Sequence, residues 1–173
     1  MDSTQISLIA VSVLTPLAPY LIKVGETIAQ EIGKAIFGQA KDLYTALKKK
    51  FDQVGDVQAQ TVLEILDKAS DVQRQQLVNH IVQQAQNDAA FAHALEIQVN
   101  EISTLLFECL QNKFMLSDLK QVYFRLGTGW NDLIGEPATR SEKAIALIEH
   151  IQVRERVPDL IKAMWVVYPG LRC

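Results

Sequence analysis

Histidine and cysteine are the side chains that most often carry catalysis or hold a metal, and this chain of 173 residues has few of them. The histidines, His80, His93 and His150, lie in helix-forming sequence without the H-E-x-x-H spacing of a zinc protease. Cys109 lies on an apolar helical stripe, which is typical of a core residue. Cys173 is the last residue and does not form a prenylation motif. We therefore expect no enzyme, no metal site and no cofactor.

The run Gly127-Thr128-Gly129 looks at first like part of a phosphate-binding loop. Such loops follow a strand and carry a third glycine at the start of the next helix. Here the run follows helix-forming sequence, and the third glycine is missing. The run therefore predicts the end of a helix, where glycine takes the left-handed conformation.

The composition is that of an ordinary globular chain. Apolar residues make up 49% and charged residues 21%, which excludes wholesale disorder. The net charge of −3 and a pI near 5.6 argue against nucleic-acid binding. The charge is +3 over residues 23–51, −5 over residues 52–100 and zero over residues 101–173. This pattern suits an electrostatic contact between neighbouring helices, and solvated faces explain it as well.

Helix-forming residues dominate, and no alternating apolar run predicts a strand. We expect an all-α fold: an N-terminal helical bundle with a long second helix, followed by a bundle of five to six helices. The first helix should cover residues 4–15 and stop near Pro16 and Pro19, because proline breaks helices. The second should run from Pro19 to Phe51, with a turn at Gly55.

Capping signals predict where the later helices begin and end. We expect a break near residue 100, which divides the chain into domains of residues 1–100 and 101–173. Apolar stripes predict that Leu119, Phe124 and Trp165 lie in the core of the second domain. The expected starts are the capping boxes Ser70/Gln73 and Thr139/Glu142, the N-terminal signal Asn87-Asp88, the cap Ser117, a short helical turn at 130–134, and Pro158 in the first turn of the last helix.

Residues 3–22 carry no charge, and this length spans a bilayer core of about 30 Å. Two prolines and several hydroxyl side chains weaken a permanent transmembrane helix, and no basic region precedes the run as in a secretory signal. Two interpretations stay open: a buried core helix, or a helix that is buried at rest and released into lipid on activation. In the second interpretation the membrane-active side chains are Ile6, Leu8, Ile9, Val11, Val13 and Leu14.

Two features of the following segment bear on the same question. Small residues at four-residue spacing form a smooth ridge for close helix packing, in lipid or in a soluble bundle, at Gly25, Ala29 and Gly33. Three consecutive lysines are candidate contacts for anionic lipid headgroups, although a solvated helix end explains them as well: Lys48, Lys49 and Lys50.

The C-terminal part carries the most specific pattern. Its first runs are Phe114-Met115-Leu116-Ser117-Asp118-Leu119, Tyr123-Phe124-Arg125-Leu126-Gly127 and Trp130-Asn131-Asp132-Leu133-Ile134-Gly135-Glu136. Further along are Lys143-Ala144, Leu147-Ile148, Arg154-Glu155-Arg156, Leu160-Ile161 and Tyr168-Pro169-Gly170. These runs resemble the effector-associated, death-like domains of bacterial conflict systems. The N-terminal part is similar, more weakly, to helical cell-death domains of the HeLo and Bell type.

The resemblance implies docking between like domains, which ties an effector to a sensor or a protease. The partners would be proteins with similar death-like domains and further copies of this chain. The implied docking surface consists of Arg125, Asp132, Glu136, Arg154 and Arg156. The weaker resemblance implies a first hydrophobic helix that acts on membranes.

These patterns predict a non-enzymatic bacterial cell-death or antiphage effector, recruited through its death-like domain and acting on membranes through its N-terminal helices. One alternative is a signalling adaptor that links two proteins without touching membranes. Another is a small regulatory subunit of an enzyme encoded elsewhere. We expect a cytoplasmic protein that relocates to the inner face of the plasma membrane on activation, with anionic lipids as further partners and no nucleic acid.

Overall fold

The computed structural model describes residues 1–22, 33–169 and 171, and all regular secondary structure in these ranges is helical. The predicted all-α class is confirmed. The described helices are α1 Ser3–Ile22, α2 Lys34–Val54, α3 Val57–Glu64, α4 Asp71–Asn87, α5 Ala89–Asn112, α6 Leu116–Arg125, α7 Arg140–Val153 and α8 Val157–Val167.

α1 is the central helix of the fold. It contacts α2, α4, α5 and α8, so helices from both predicted domains pack on it. Ile9, Leu14 and Leu17 of α1 are at most 1% exposed. One hydrophobic core therefore runs through residues from both predicted domains.

α1 continues through Pro16 and Pro19, so the prediction that it stops there is wrong. A proline inside a helix removes a backbone hydrogen bond and costs about 3 kcal/mol. The Thr15 hydroxyl adds one hydrogen bond in this region by donating to the Val11 carbonyl at 2.6 Å. Burial of α1 against four helices outweighs the local preference, because tertiary packing supplies most of the stability of a helix in a protein.

The start predicted for the second helix is also wrong. Pro19 belongs to α1, and α2 begins at Lys34. α2 then continues past Phe51 to Val54, and Gly55 ends it in the expected left-handed turn with φ of 69°. The three consecutive lysines therefore precede the last turn of α2.

The predicted packing ridge lies largely outside the described residues. Gly25 and Ala29 fall in the segment 23–32, which the structure does not describe. Gly33 is buried and precedes α2 with φ of −54° and ψ of 121°, which is not a helical conformation. The prediction of a ridge on one helix is therefore wrong at Gly33.

α5 crosses the predicted domain boundary as one continuous helix of 24 residues, so the expected break near residue 100 is wrong. Val99, Ile102 and Leu106 are buried on one face, and their helical spacing continues through the position where the charge changes. The Asp88 carboxylate caps the helix, as expected, by accepting the Phe91 N–H at 3.0 Å. The division into residues 1–100 and 101–173 stays a prediction.

The capping boxes Ser70/Gln73 and Thr139/Glu142 are confirmed, and Pro158 lies in the first turn of α8. Ser117 does not cap α6. The helix begins one residue earlier, and the Asp118 carboxylate accepts the Met115 N–H at 3.2 Å.

The C-terminal region contains fewer helices than predicted. From residue 101 onward the described chain has the second half of α5 and then α6, α7 and α8, because residues 130–134 form turns and bends. α5 packs on α7, and α6 packs on both α7 and α8. The region is therefore a small bundle whose longest loop connects α6 to α7.

Candidate functional site

The loop between α6 and α7 is organised around one buried cation. Lys143, in the first turn of α7, is fully buried. Its Nζ donates to the carbonyl of Trp130 at 2.9 Å, to Asn131 Oδ1 at 3.0 Å and to the carbonyl of Ile134. The Glu136 carboxylate lies 3.6 Å away. The loop thus supplies the oxygen atoms that water would otherwise give this ammonium group, and the ammonium group fixes the loop.

Aromatic rings complete this arrangement. The Trp130 ring centroid lies 4.9 Å from Lys143 Nζ and 5.2 Å from Lys120 Nζ. The Tyr123 ring meets Trp130 edge-on at 5.0 Å, and its hydroxyl donates to the Lys143 carbonyl at 2.7 Å. Burial raises the pKa of Tyr123 to about 12. Lys143 is part of the sequence pattern of the C-terminal region, but nothing in the sequence indicated that its side chain is buried at the centre of the loop.

Two of the predicted docking residues stabilise this loop. Asp132 is exposed, and its carboxylate accepts the Gly129 N–H at 2.7 Å. Glu136 is exposed too, and its carboxylate accepts the Ala138 N–H at 3.1 Å and the Trp130 Nε1–H at 3.0 Å. These hydrogen bonds lower the pKa of Glu136 below its ordinary value. Both carboxylates therefore have a structural role before any partner arrives.

A family model for effector-associated domain 7 matches residues 105–169. This segment is an effector-associated domain. The match includes the end of α5, all of α6, α7 and α8, and the loop around Lys143. Such a domain indicates a role in bacterial effector or defence systems and in protein–protein interaction. No curated protein and no solved structure matches the chain.

The arginines of the effector-associated domain fall into two groups. Arg156 is half-buried: its Nε donates to Asp159 at 3.0 Å, and its guanidinium donates to the Leu126 carbonyl at 3.3 Å. It therefore ties the start of α8 to the end of α6. Arg125 and Arg154 are exposed, and neither side chain forms a hydrogen bond or ion pair with the described residues. These two cations are available to a partner.

Phe124 of the effector-associated domain was expected in the core, and that prediction is wrong. Its side chain is 85% exposed, next to the exposed Arg125. α6 buries Leu119, Val122 and Tyr123 instead, and the helical period turns the following residue toward solvent. A count of helical positions along α6 would have found this exposed aromatic residue.

The candidate membrane-active residues line the interior of the protein. Leu8 is half-buried. α1 is the one helix in the described part of the chain that is long and apolar enough to cross a membrane, with a mean hydropathy of 1.7. Half of that stretch is buried in the fold. The other five candidate membrane-active residues are buried, with at most 5% of each exposed: Ile6, Ile9, Val11, Val13 and Leu14.

The three consecutive lysines of α2 differ in their surroundings. Lys48 and Lys49 are exposed. Lys50 Nζ lies 2.7 Å from the Asp88 carboxylate and 5.3 Å from the Phe91 ring centroid. The hydrogen bond from Lys50 lowers the pKa of Asp88 below its ordinary value. This ion pair connects the basic segment 23–51 to the acidic segment 52–100. It also means that Lys50, one of the three candidate contacts for lipid headgroups, is already paired with a carboxylate.

The other candidate chemical groups are dispersed. His80 Nδ1 lies 2.7 Å from an Asp56 oxygen, and Asp56 also caps α3. His93 is exposed and His150 half-buried, and within the described ranges three metal-ligating side chains do not come together. The expected core position of Cys109 is confirmed by its 2% exposure, whereas Cys173 lies outside the described residues. Gly127 ends α6 with φ of 68°, which confirms the expected helix terminus.

Proposed function

We propose that this chain is a non-enzymatic docking protein that recruits a partner through its effector-associated domain. The observation that carries the proposal is the exposed pair Phe124 and Arg125, with Arg154 as a further free cation. Aromatic residues and arginine supply most of the binding energy in protein interfaces. The partner would therefore offer an apolar pocket flanked by carboxylates, on a domain of the same kind.

The test is the affinity of the chain for a purified protein that carries an effector-associated domain and is encoded beside its gene. Phe124→Ala and Arg125→Glu should each weaken binding about 30-fold or more, the loss expected at an interface hot spot. Lys41→Glu, which reverses an exposed charge on α2, is the matched control and should bind like the parent. Unchanged binding of the triple variant Phe124→Ala, Arg125→Glu and Arg154→Glu would contradict the proposal.

The uncharged α1 favours a second function, in which docking releases this helix into the plasma membrane and the cell dies. The support is its apolar length, together with the exposed Lys48 and Lys49 for anionic lipid. Release requires the core to open, because α1 contacts four helices. The energy would have to come from docking, from assembly of several copies and from transfer of α1 into lipid.

Thr15 offers a test that spares the core. Thr15 is half-buried near the middle of α1 and lines a groove that also contains Arg74 and Lys162, so the folded chain should accept a carboxylate there. A charge near the centre of an inserted helix costs about 2.5–3.5 kcal/mol. Thr15→Asp should therefore dock normally but release no dye from phosphatidylethanolamine–phosphatidylglycerol vesicles, and it should not kill cells.

Thr15→Val is the matched control and should act like the parent. Full leakage by Thr15→Asp would contradict membrane insertion of α1. A parent chain that binds its partner and never causes leakage would leave the adaptor function alone.

A further inference from the structure

A groove of about 510 Å³ lies where α1, α4 and α8 meet. Leu8 and Val11 of α1, Val78 of α4, and Val166 of α8 give it apolar walls. Its volume is within the range of small-molecule sites, roughly 300–1,000 Å³. It contains neither Phe124 nor Arg125, but it borders the proposed docking surface, because Lys162 and Val166 also line the adjacent pocket that contains Arg125.

The charge of the groove is positive. Arg74 and Lys162 are its cations, and Asp71 is the acid that lines it. The Asp71 carboxylate lies 3.5 Å from the Arg74 guanidinium. Lys162 is exposed and forms no ion pair with the residues that the structure describes. One positive charge in the groove is therefore left for an anion.

Two N–H groups in the groove walls have no acceptor. Arg74 Nε on α4 and Trp165 Nε1 on α8 are enclosed and find no hydrogen-bond partner in the described part of the chain. A buried donor without an acceptor costs roughly 1–3 kcal/mol, and folded proteins keep few of them. Both side chains line the groove and are half-buried, whereas the two N–H groups themselves are enclosed, so a ligand reaches them only when each side chain rotates toward the groove. A single acceptor group could then serve both helices.

We propose that this groove binds a small amphipathic anion. Its carboxylate or phosphate head accepts hydrogen bonds from Arg74 and Trp165 and pairs with Lys162, and its apolar body lies against Leu8 and Val166. The groove of about 510 Å³ has room for about one turn of a helix, whose diameter with side chains is about 10–12 Å and whose pitch is about 5.4 Å, so its size suits a small molecule better than a partner helix. The ligand would contact α1 and the effector-associated domain together, and it would hold α1 in the core. This inference does not rest on the proposed docking function.

The experiment is isothermal titration of the full chain with decanoate, decyl phosphate, decanol and acetate. We expect one molecule of decanoate or decyl phosphate per chain, and the stronger of the two identifies the preferred head. Decanol lacks the charge and acetate lacks the apolar body, so each should bind at least about tenfold more weakly. Arg74→Met should weaken binding of the anion about tenfold, and Trp165→Phe, which removes the N–H together with part of the indole ring, by a smaller factor.

Lys68→Met, which removes an exposed cation outside the groove, should bind like the parent. Thermal melting verifies that each variant is folded, and Lys162→Ala, at an exposed position, replaces Arg74→Met if that variant does not fold. Equal affinities for decanol and decanoate would overturn the proposal. So would the absence of binding by both anions, or unchanged affinity in the Arg74 and Trp165 variants together. None of these results tests the proposed docking of a partner, which is measured separately with the Phe124 and Arg125 variants.

Discussion

The Tyr123 hydroxyl donates a hydrogen bond to the backbone carbonyl of Lys143 at 2.7 Å, and both side chains are at most 1% exposed. This bond links α6 to α7 behind the loop that connects them. The ammonium group of the same lysine is buried under that loop and donates hydrogen bonds to the carbonyl groups of Trp130 and Ile134. Lys143 therefore fixes the middle of the longest loop in the effector-associated domain through its side chain, and its carbonyl joins the two helices that flank the loop.

Lys143→Met should destabilise the chain by about 2–4 kcal/mol, because the loop oxygens lose their shared donor. Tyr123→Phe removes a single hydroxyl and should cost about 1 kcal/mol. Urea unfolding followed by circular dichroism measures both values. A Lys143→Met chain as stable as the parent would show that the loop does not need the buried charge.

Two glycines should respond in opposite directions to the same substitution. Gly127 has φ of 68°, so an alanine there is strained, and we expect Gly127→Ala to cost about 1–2 kcal/mol. Gly38 lies inside α2 with open space around an added methyl group, and Gly38→Ala should stabilise the chain by about 0.5–1 kcal/mol. Thermal and urea unfolding give both differences. Equal effects of the same sign would contradict the backbone conformations described for these two positions.

The ion pair between Lys50 and Asp88 should appear in the acid unfolding of the chain. The pKa of Asp88 is lowered in the folded state by the hydrogen bond from Lys50, so the unfolded chain binds this proton more tightly. The stability from this carboxylate is complete above its ordinary pKa near 4 and is lost as the pH falls through the lower, folded value.

The test of this ion pair is the variant Asp88→Asn, which keeps a good N-cap. It should lose less stability than the parent between about pH 5 and pH 2. Asp42→Asn, at an exposed carboxyl group of α2, is the control. If Asp88→Asn and the parent lose the same stability over this pH range, the ion pair makes no contribution.

The predicted domain division can be tested with two fragments. Residues 89–173 retain all of α5, whereas residues 101–173 begin in the middle of it. We expect both fragments to be helical by circular dichroism and the longer one to melt at a higher temperature, because the shorter one loses half of the helix. A random-coil spectrum for the longer fragment would show that the C-terminal helices need residues before 89, which include α1 to α4, in order to fold.

Local signals predicted helix starts well and failed where long-range packing decides. The capping boxes at Ser70 and Thr139 involve side chains three residues apart, so the sequence contains everything they need. Pro16 and Pro19 favour a helix end just as strongly, yet α1 passes through both because four helices surround it. Which helices would surround α1 is a property of the fold, and no local pattern encodes it.

The same reasoning applies to the candidate site. The sequence identified the effector-associated domain through motifs that contain Trp130 and Lys143, without showing why those residues occur together. The reason appears only in the folded structure: the buried ammonium group of Lys143 in α7 needs hydrogen-bond acceptors, and the loop around Trp130 supplies them. The burial of α1 also determines which position is suited to a test of membrane insertion. A deletion of residues 1–15, or charges at Leu8 and Val11, would remove or disturb core packing, which makes Thr15 the better position.

The continuity of α5 determines how copies of this chain could be arranged. At 1.5 Å per residue its 24 residues form a rod about 36 Å long, whose ends belong to the N-terminal helices and to the effector-associated domain. Because α5 is continuous, it fixes the orientation of the N-terminal helices relative to the effector-associated domain as well as their distance from it. Any ring or filament built by the effector-associated domains would therefore impose its own symmetry on the N-terminal helices. The spacing between successive α1 helices would be set by the contacts between effector-associated domains, since α1 also packs on α8 of that domain.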